Sequence, residues 1–176
     1  VAVTGVQTCA LPIWHERDRS RPHVLHVLHS PPDARGGTEK FVESLTWSLD
    51  AEIDFCVSYP VPNGLVVRTH WRVPGEDRPV RDEYLLPGGG SAVTLVSDPA
   101  MGAAFAMMLD LFGFDAVHVH NLIGSSLAPL DALRDFPGPV CCSVHDLYLA
   151  CPNYSLLYKR VESCGIPVER EVCAAC

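Results

Sequence analysis

The sequence predicts an α/β fold, a doubly wound and mostly parallel sheet in which strands alternate with helices. Three observations carry this expectation: short Val- and Leu-rich runs that suit strands buried on both faces, helix-period segments between them, and Pro/Gly punctuation at the junctions. At 176 residues with 48 % apolar side chains, the chain is long enough for one domain with its own core. Thirteen basic residues against 21 acidic ones give a formal charge of −8 without a Lys/Arg cluster, which sets nucleic-acid binding aside. No run of about 18 uninterrupted apolar residues occurs, so no membrane-spanning helix is predicted.

The first residues stand apart from that pattern. Val3–Ile13, VTGVQTCALPI, has no charge, no amphipathic period and no basic n-region of a signal peptide. The string looks like the in-frame translation of a sequencing adapter, so residues 1–13 are expected to be an assembly artefact, and the chain to be cut at Cys176 as well. A polar lead-in follows at 14–22. With no signal peptide and no need of a disulfide framework, a reducing cytoplasm is the expected compartment.

The foldable part is expected over 23–150. His23–His29, HVLHVLH, reads as a first buried strand, and Ser30–Gly37, SPPDARGG, as a loop. Thr38 is a candidate cap for a helix carrying Phe41, Val42, Leu45 and Leu49 on one face. Ile53–Tyr59 reads as the second strand. Beyond it come a strand at Leu65–Val73, a charged loop at Gly75–Glu83 and a glycine-rich loop at Pro87–Ser91, together an elaboration of the sheet. Asp98-Pro99 supplies an N-cap and a first-turn proline for a helix through Leu111, apolar on most sides and so expected to be well buried. Asp115–His120 reads as a strand, Ser125 or Ser126 as the cap of a helix through Leu127, Leu130 and Leu133, and Val140–Val144 as another strand. Cys56, Cys141 and Cys142 lie in apolar runs and read as buried thiols. The alternation points to a Rossmann-like sheet.

In such sheets ligands bind outside the carboxyl ends of the strands. His29 closes the first strand, His120 closes the Asp115 strand, and His145 with Asp146 follows Val144. Three histidines at one edge, opposite a glycine loop, predict a polar site. His26 and His118 lie inside their strands and read as partly buried core histidines. Gly36-Gly37 ahead of a helix allows close approach of a phosphate to free N–H groups and the positive end of the dipole. Neither GxGxxG nor GxxxxGK[ST] is present.

In order, HVLHS, GGTEK, FDAVHVHNLIGSS and VHDLYLACP with trailing cysteines resemble the N-terminal domain of the retaining glycosyltransferases of family 4, half of a GT-B fold, over roughly 22–176. The resemblance implies a nucleotide-sugar donor and a glycan or lipid-linked acceptor held between two Rossmann-like domains, with no cofactor for catalysis. It places Gly36 and Gly37 near the donor diphosphate, His120 facing the transferred sugar, and His145 and Asp146 on the acceptor side. It also implies that a second domain carries most donor contacts, so this chain alone is expected to be inactive. Peripheral membrane contact of the parent protein is a further expectation.

Cys151, Cys164, Cys173 and Cys176 make C-x12-C-x8-C-x2-C, a set able to close a tetrahedral structural zinc site. Ordinary thiols, an iron–sulfur cluster, or disulfides in an oxidising compartment are the alternatives. A second function therefore stands beside the first: a non-catalytic Rossmann-like module with a Cys-rich, zinc-binding segment.

Overall fold

A computed structural model describes residues 18–75, 79–88, 97–146, 151, 157–158 and 162–164. Its elements are β1 (His23–Val27), α1 (Gly37–Leu49), β2 (Asp54–Val61), β3 (Gly64–His70), β4 (Glu83–Pro87), α2 (Pro99–Phe112), β5 (Ala116–Val119), α3 (Ala128–Leu133) and β6 (Val140–Cys142), followed by a two-residue pair, β7 (Leu157–Tyr158) and β8 (Glu162–Ser163). Six strands form one mixed sheet in the order β4-β3-β2-β1-β5-β6. β2, β1, β5 and β6 run parallel, while β3 and β4 fold back antiparallel. The expected α/β sheet is present, parallel in the four strands from β2 to β6.

Side-chain alternation divides the sheet between two cores. Leu25, Val27, Cys56, Leu65, Val67, Val117 and Val119 pack with Met101, Phe105, Met108 and Phe112 of α2 on one face. On the other face Leu28, Val57, Tyr59 and Val66 pack with Val42 of α1. Asp98 caps α2 by accepting from the N–H groups of Ala100 and Met101, both at 3.1 Å, with Pro99 in the first turn. Gly113 ends the helix at φ 56°, a left-handed position that favours glycine.

Several expectations need correction. β4 falls partly in the stretch read as a charged loop; as an edge strand it turns only Tyr84 and Leu86 inward, so its apolar signal is weak. β1 stops at Val27, although Leu28 N–H still donates to the Ser58 carbonyl at 2.8 Å, and β6 stops at Cys142. Cys56 is buried as expected, but Cys141 and Cys142 are exposed on the last strand of the sheet. α1 is capped by Gly36 rather than Thr38, and it buries Thr38, Glu39, Val42 and Thr46 while Phe41 stays 46 % exposed. α2 leaves Met107 and Leu111 exposed. Leu127 is the N-cap of α3, with Ser126 Oγ accepting from Ala128 N–H at 3.1 Å just inside it. No described helix is long and apolar enough to cross a membrane.

Arg21, at the end of the polar lead-in, anchors the start of the sheet. Its guanidinium donates to Asp54 Oδ1 at 2.9 Å and to the carbonyls of Asp50, Ala51 and Ile53 at 2.6–2.8 Å.

Candidate functional site

β1 has β2 on one side and β5 on the other, both parallel to it, so chain connections diverge from this strand. The carboxyl ends of β1 and β5 therefore flank the switch point at which open α/β sheets form a crevice. The glycine loop leaves one end and His120-Asn121 the other.

His26 and His118 are cross-strand partners in the β1/β5 register. Because side chains two apart on a strand share a face, His118 and His120 both point to the α1 side, where they meet His26. His26 Nδ1 lies 3.1 Å from His120 Nε2, and His120 Nδ1 lies 3.2 Å from His145 Nε2. The His118 ring lies tilted against His120, with centroids 3.8 Å apart, and shares a 2.8 Å hydrogen bond between its Nε2 and Ser143 Oγ. Phe41 of α1 covers the outer part of the array, 5.9 Å from the His120 ring and 5.1 Å from that of His145.

Four imidazoles in mutual contact cannot all be charged. Burial, followed by repulsion from His118, His26 and His145, drives His120 down to about 2. Burial and the neighbouring His118 lower His26 to about 3, and burial together with His145 lowers His118. His26, His118 and His120 are thus neutral rings, each with one N–H and one lone pair.

Asn121 completes this edge. Its Oδ1 accepts from Ile123 N–H at 2.8 Å, and its Nδ2 donates to Asp146 Oδ2 at 2.5 Å, fixing the carboxylate beside His145 in the chain. The loop beyond carries Ser126 at φ 58°, strained backbone at the carboxyl side of β5.

The glycine loop is occupied from within. Glu39, in the first turn of α1 and 1 % exposed, turns its carboxylate back over Gly36, where a Cβ would overlap it. Ser30 Oγ donates to Glu39 Oε1, and His29 Nδ1 lies 3.4 Å from the same oxygen. Gly36 is thus small to make room for a buried carboxylate at the positive end of the helix, whereas no heavy atom lies within 4 Å of a Cβ built on Gly37.

His120, His145 and Asp146 come together as the sequence suggests, and α1 brings the glycine loop alongside through Phe41. His29 does not join them; it faces Glu39. His26 and His118, read as core histidines, belong to the array, and Asn121 and Phe41 join it without having been singled out. The i, i+2 spacing of HVH in β5 is the signal for His118. This edge encloses only about 10 Å³, whereas a cavity of about 710 Å³ lies between α1 and the antiparallel strands, lined by Asp33, Trp47, Phe55, Arg68 and His70 among others. Cys151 and Cys164 are half-buried, while Cys173 and Cys176 fall outside the described residues. Comparison with family models, curated proteins and solved structures finds no match to this chain.

Proposed function

We propose that this chain is the acceptor-side, Rossmann-like half of a retaining glycosyltransferase that moves a sugar from a nucleotide-sugar donor to a glycan or lipid-linked acceptor in the cytoplasm. One observation carries the proposal: at the switch point of the parallel strands, the open Gly37 turn and the His120–His145–Asp146 edge stand side by side, joined by Phe41. A ring held neutral suits a sugar site, because it does not repel an oxocarbenium-like centre and could trade its bond to His145 for one to a sugar hydroxyl. His120 would face the transferred sugar, with His145 and the Asn121-held Asp146 lining the acceptor side. The donor diphosphate would approach by Gly37.

The leaving diphosphate needs positive charge aimed at it. Glu39 already spends much of the α1 dipole, so that charge would come from a second domain, and this half alone would not catalyse transfer. The trailing cysteines, Cys151, Cys164, Cys173 and Cys176, would form a structural zinc clip, with four protein ligands and no open position for a substrate. The buried Glu39 is also what favours the rival reading, a non-catalytic zinc-bearing module, since it disfavours an anion at the loop.

Extending the coding sequence past Cys176 separates the two. A second β/α domain, with nucleotide-sugar turnover that falls about a hundredfold or more in His120→Ala at unchanged melting temperature, is the expected result. A stop codon at that point, or turnover that ignores the substitution, would favour the module.

A further inference from the structure

His26, His118 and His120 each offer a ring nitrogen, and the three nitrogens lie within 4.8 Å of one another, the only such group among the described residues. We infer that these three side chains form a binding site for one divalent transition-metal ion of the zinc class, at the sheet face beneath α1. The site stands independently of the transferase proposal, although it shares His120 with it.

The geometry is close to what an ion would need. Zinc–nitrogen bonds of about 2.0–2.1 Å in a tetrahedron place neighbouring ligand atoms about 3.3 Å apart. His26 Nδ1 and His120 Nε2 already stand 3.1 Å apart, held there by a hydrogen bond, and the His118 ring centroid lies 3.8 Å from that of His120. Two ligands come from the same strand at positions two apart and the third from its register partner, so the parallel ladder itself fixes their spacing. Imidazole suits zinc, copper and nickel, and it ligates as the neutral ring that this array already holds.

Two of the three rings already have what a histidine ligand requires behind it. A metal-bound ring uses its other nitrogen as a donor to a fixed partner. His120 has that partner in His145 Nε2, 3.2 Å from its Nδ1, and His118 is oriented by Ser143 Oγ. His26 Nε2 is buried with no hydrogen-bond partner among the described residues, so this ring is held by packing and by the strand ladder rather than by an outer partner. Binding would replace the His26–His120 hydrogen bond by two metal–nitrogen bonds, with the shared proton moving to the outer nitrogen of its ring. Each ring then keeps one N–H, so no net proton is released. His118, half-buried, gives the ion a route in.

A consequence follows for any chemistry at this edge. An ion on His120 Nε2 would fix that ring against His26 and leave only its Nδ1, which bonds His145, for any other ligand.

The test is a zinc titration of the full chain with histidine ring nitrogens labelled, followed by long-range nitrogen–proton NMR, which reads the rings separately from the cysteines. The expected result is saturation of one site, with one nitrogen each of His26, His118 and His120 shifting together. His118→Ala, checked for folding by circular dichroism, should lose at least about a hundredfold in affinity at those rings. Ser143→Ala, which keeps all ligands, should lose about tenfold, the usual scale for an outer partner. His70→Ala, outside the group, should bind as the parent does. Zinc uptake that leaves the three rings unshifted, as cysteine binding alone would, overturns the proposal, as does His118→Ala binding with parent affinity.

Discussion

In the antiparallel half of the sheet, His70 sits 2.5 Å from Asp50 Oδ1 and accepts from Arg81 Nε at 3.2 Å, while Arg72 donates to the same Asp50 carboxylate at 2.6 Å. In the parallel half, His120 lies between two other imidazoles and under a third. The residue type is the same and the chemistry is opposite. Around His70, burial lowers the ring while Asp50 pulls it up, and the Asp50 carboxyl, which burial would raise, is held below its usual range by hydrogen bonds from Arg72 and His70. That network binds edges of the fold together: Arg68 likewise spans Asp33 and Glu83. The imidazole array pairs no opposite charges; its rings bond to one another and to Ser143. Here a histidine hydrogen-bonded to a carboxylate ties the scaffold, whereas histidines bonded to one another form the candidate site.

Three measurements can break or sharpen this contrast. The largest effect is expected in the charge-paired half. Asp54 is fully buried and accepts from Arg21 Nε at 2.9 Å and from Arg72 N–H at 3.0 Å. Asp54→Ala strands a largely buried guanidinium and should cost about 3–5 kcal/mol in urea unfolding; a loss below about 1 kcal/mol would remove the scaffold role of this network.

The parallel half should reveal itself through pH. His26 is near 3 in the folded chain and about 6.5 unfolded, so between those values the unfolded state binds the extra proton. Stability is then complete above about pH 6.5 and is lost as pH falls toward 3. For His26 alone the loss from pH 7 to pH 5 is about 2 kcal/mol, with His120 shifted the same way. Unfolding curves at the two pH values, with a chelator present, should show this decline. A flat profile would mean that the rings are not held neutral.

The smallest effect separates two adjacent glycines. Gly36→Ala forces the buried Glu39 carboxylate aside and should cost about 1–2 kcal/mol. Gly37→Ala meets open space in the first helical turn and should be neutral or gain up to about 1 kcal/mol. Equal effects would refute the assignment of Gly36 to Glu39 and leave the loop as a simple turn.

What could be read from the sequence follows the strength of the local signal. β1, β2, β5 and both long helices carry apolar runs or caps, Asp98-Pro99 above all, and they appear close to where they are expected. β4 was hidden because only Tyr84 and Leu86 face inward. Phe41 looked like core because helix periodicity reports a face without saying what covers it; here that face borders the histidines. The strand-end residues His120, His145 and Asp146 were legible from their positions alone. His26 and His118 were not, because membership of the array depends on β1/β5 register, a long-range pairing that one segment does not encode.

That register ties two properties together. In β5 the alternation that sends Val117 and Val119 into the α2 core is the same one that turns His118 and His120 toward His26. A slip of one residue could not spoil the site quietly: it would drive two imidazoles into an apolar core and lift two valines out of it. The folding equilibrium therefore acts as a proofreader for the histidine geometry, and a chain misaligned at the site is discarded as unfolded before it can be inactive.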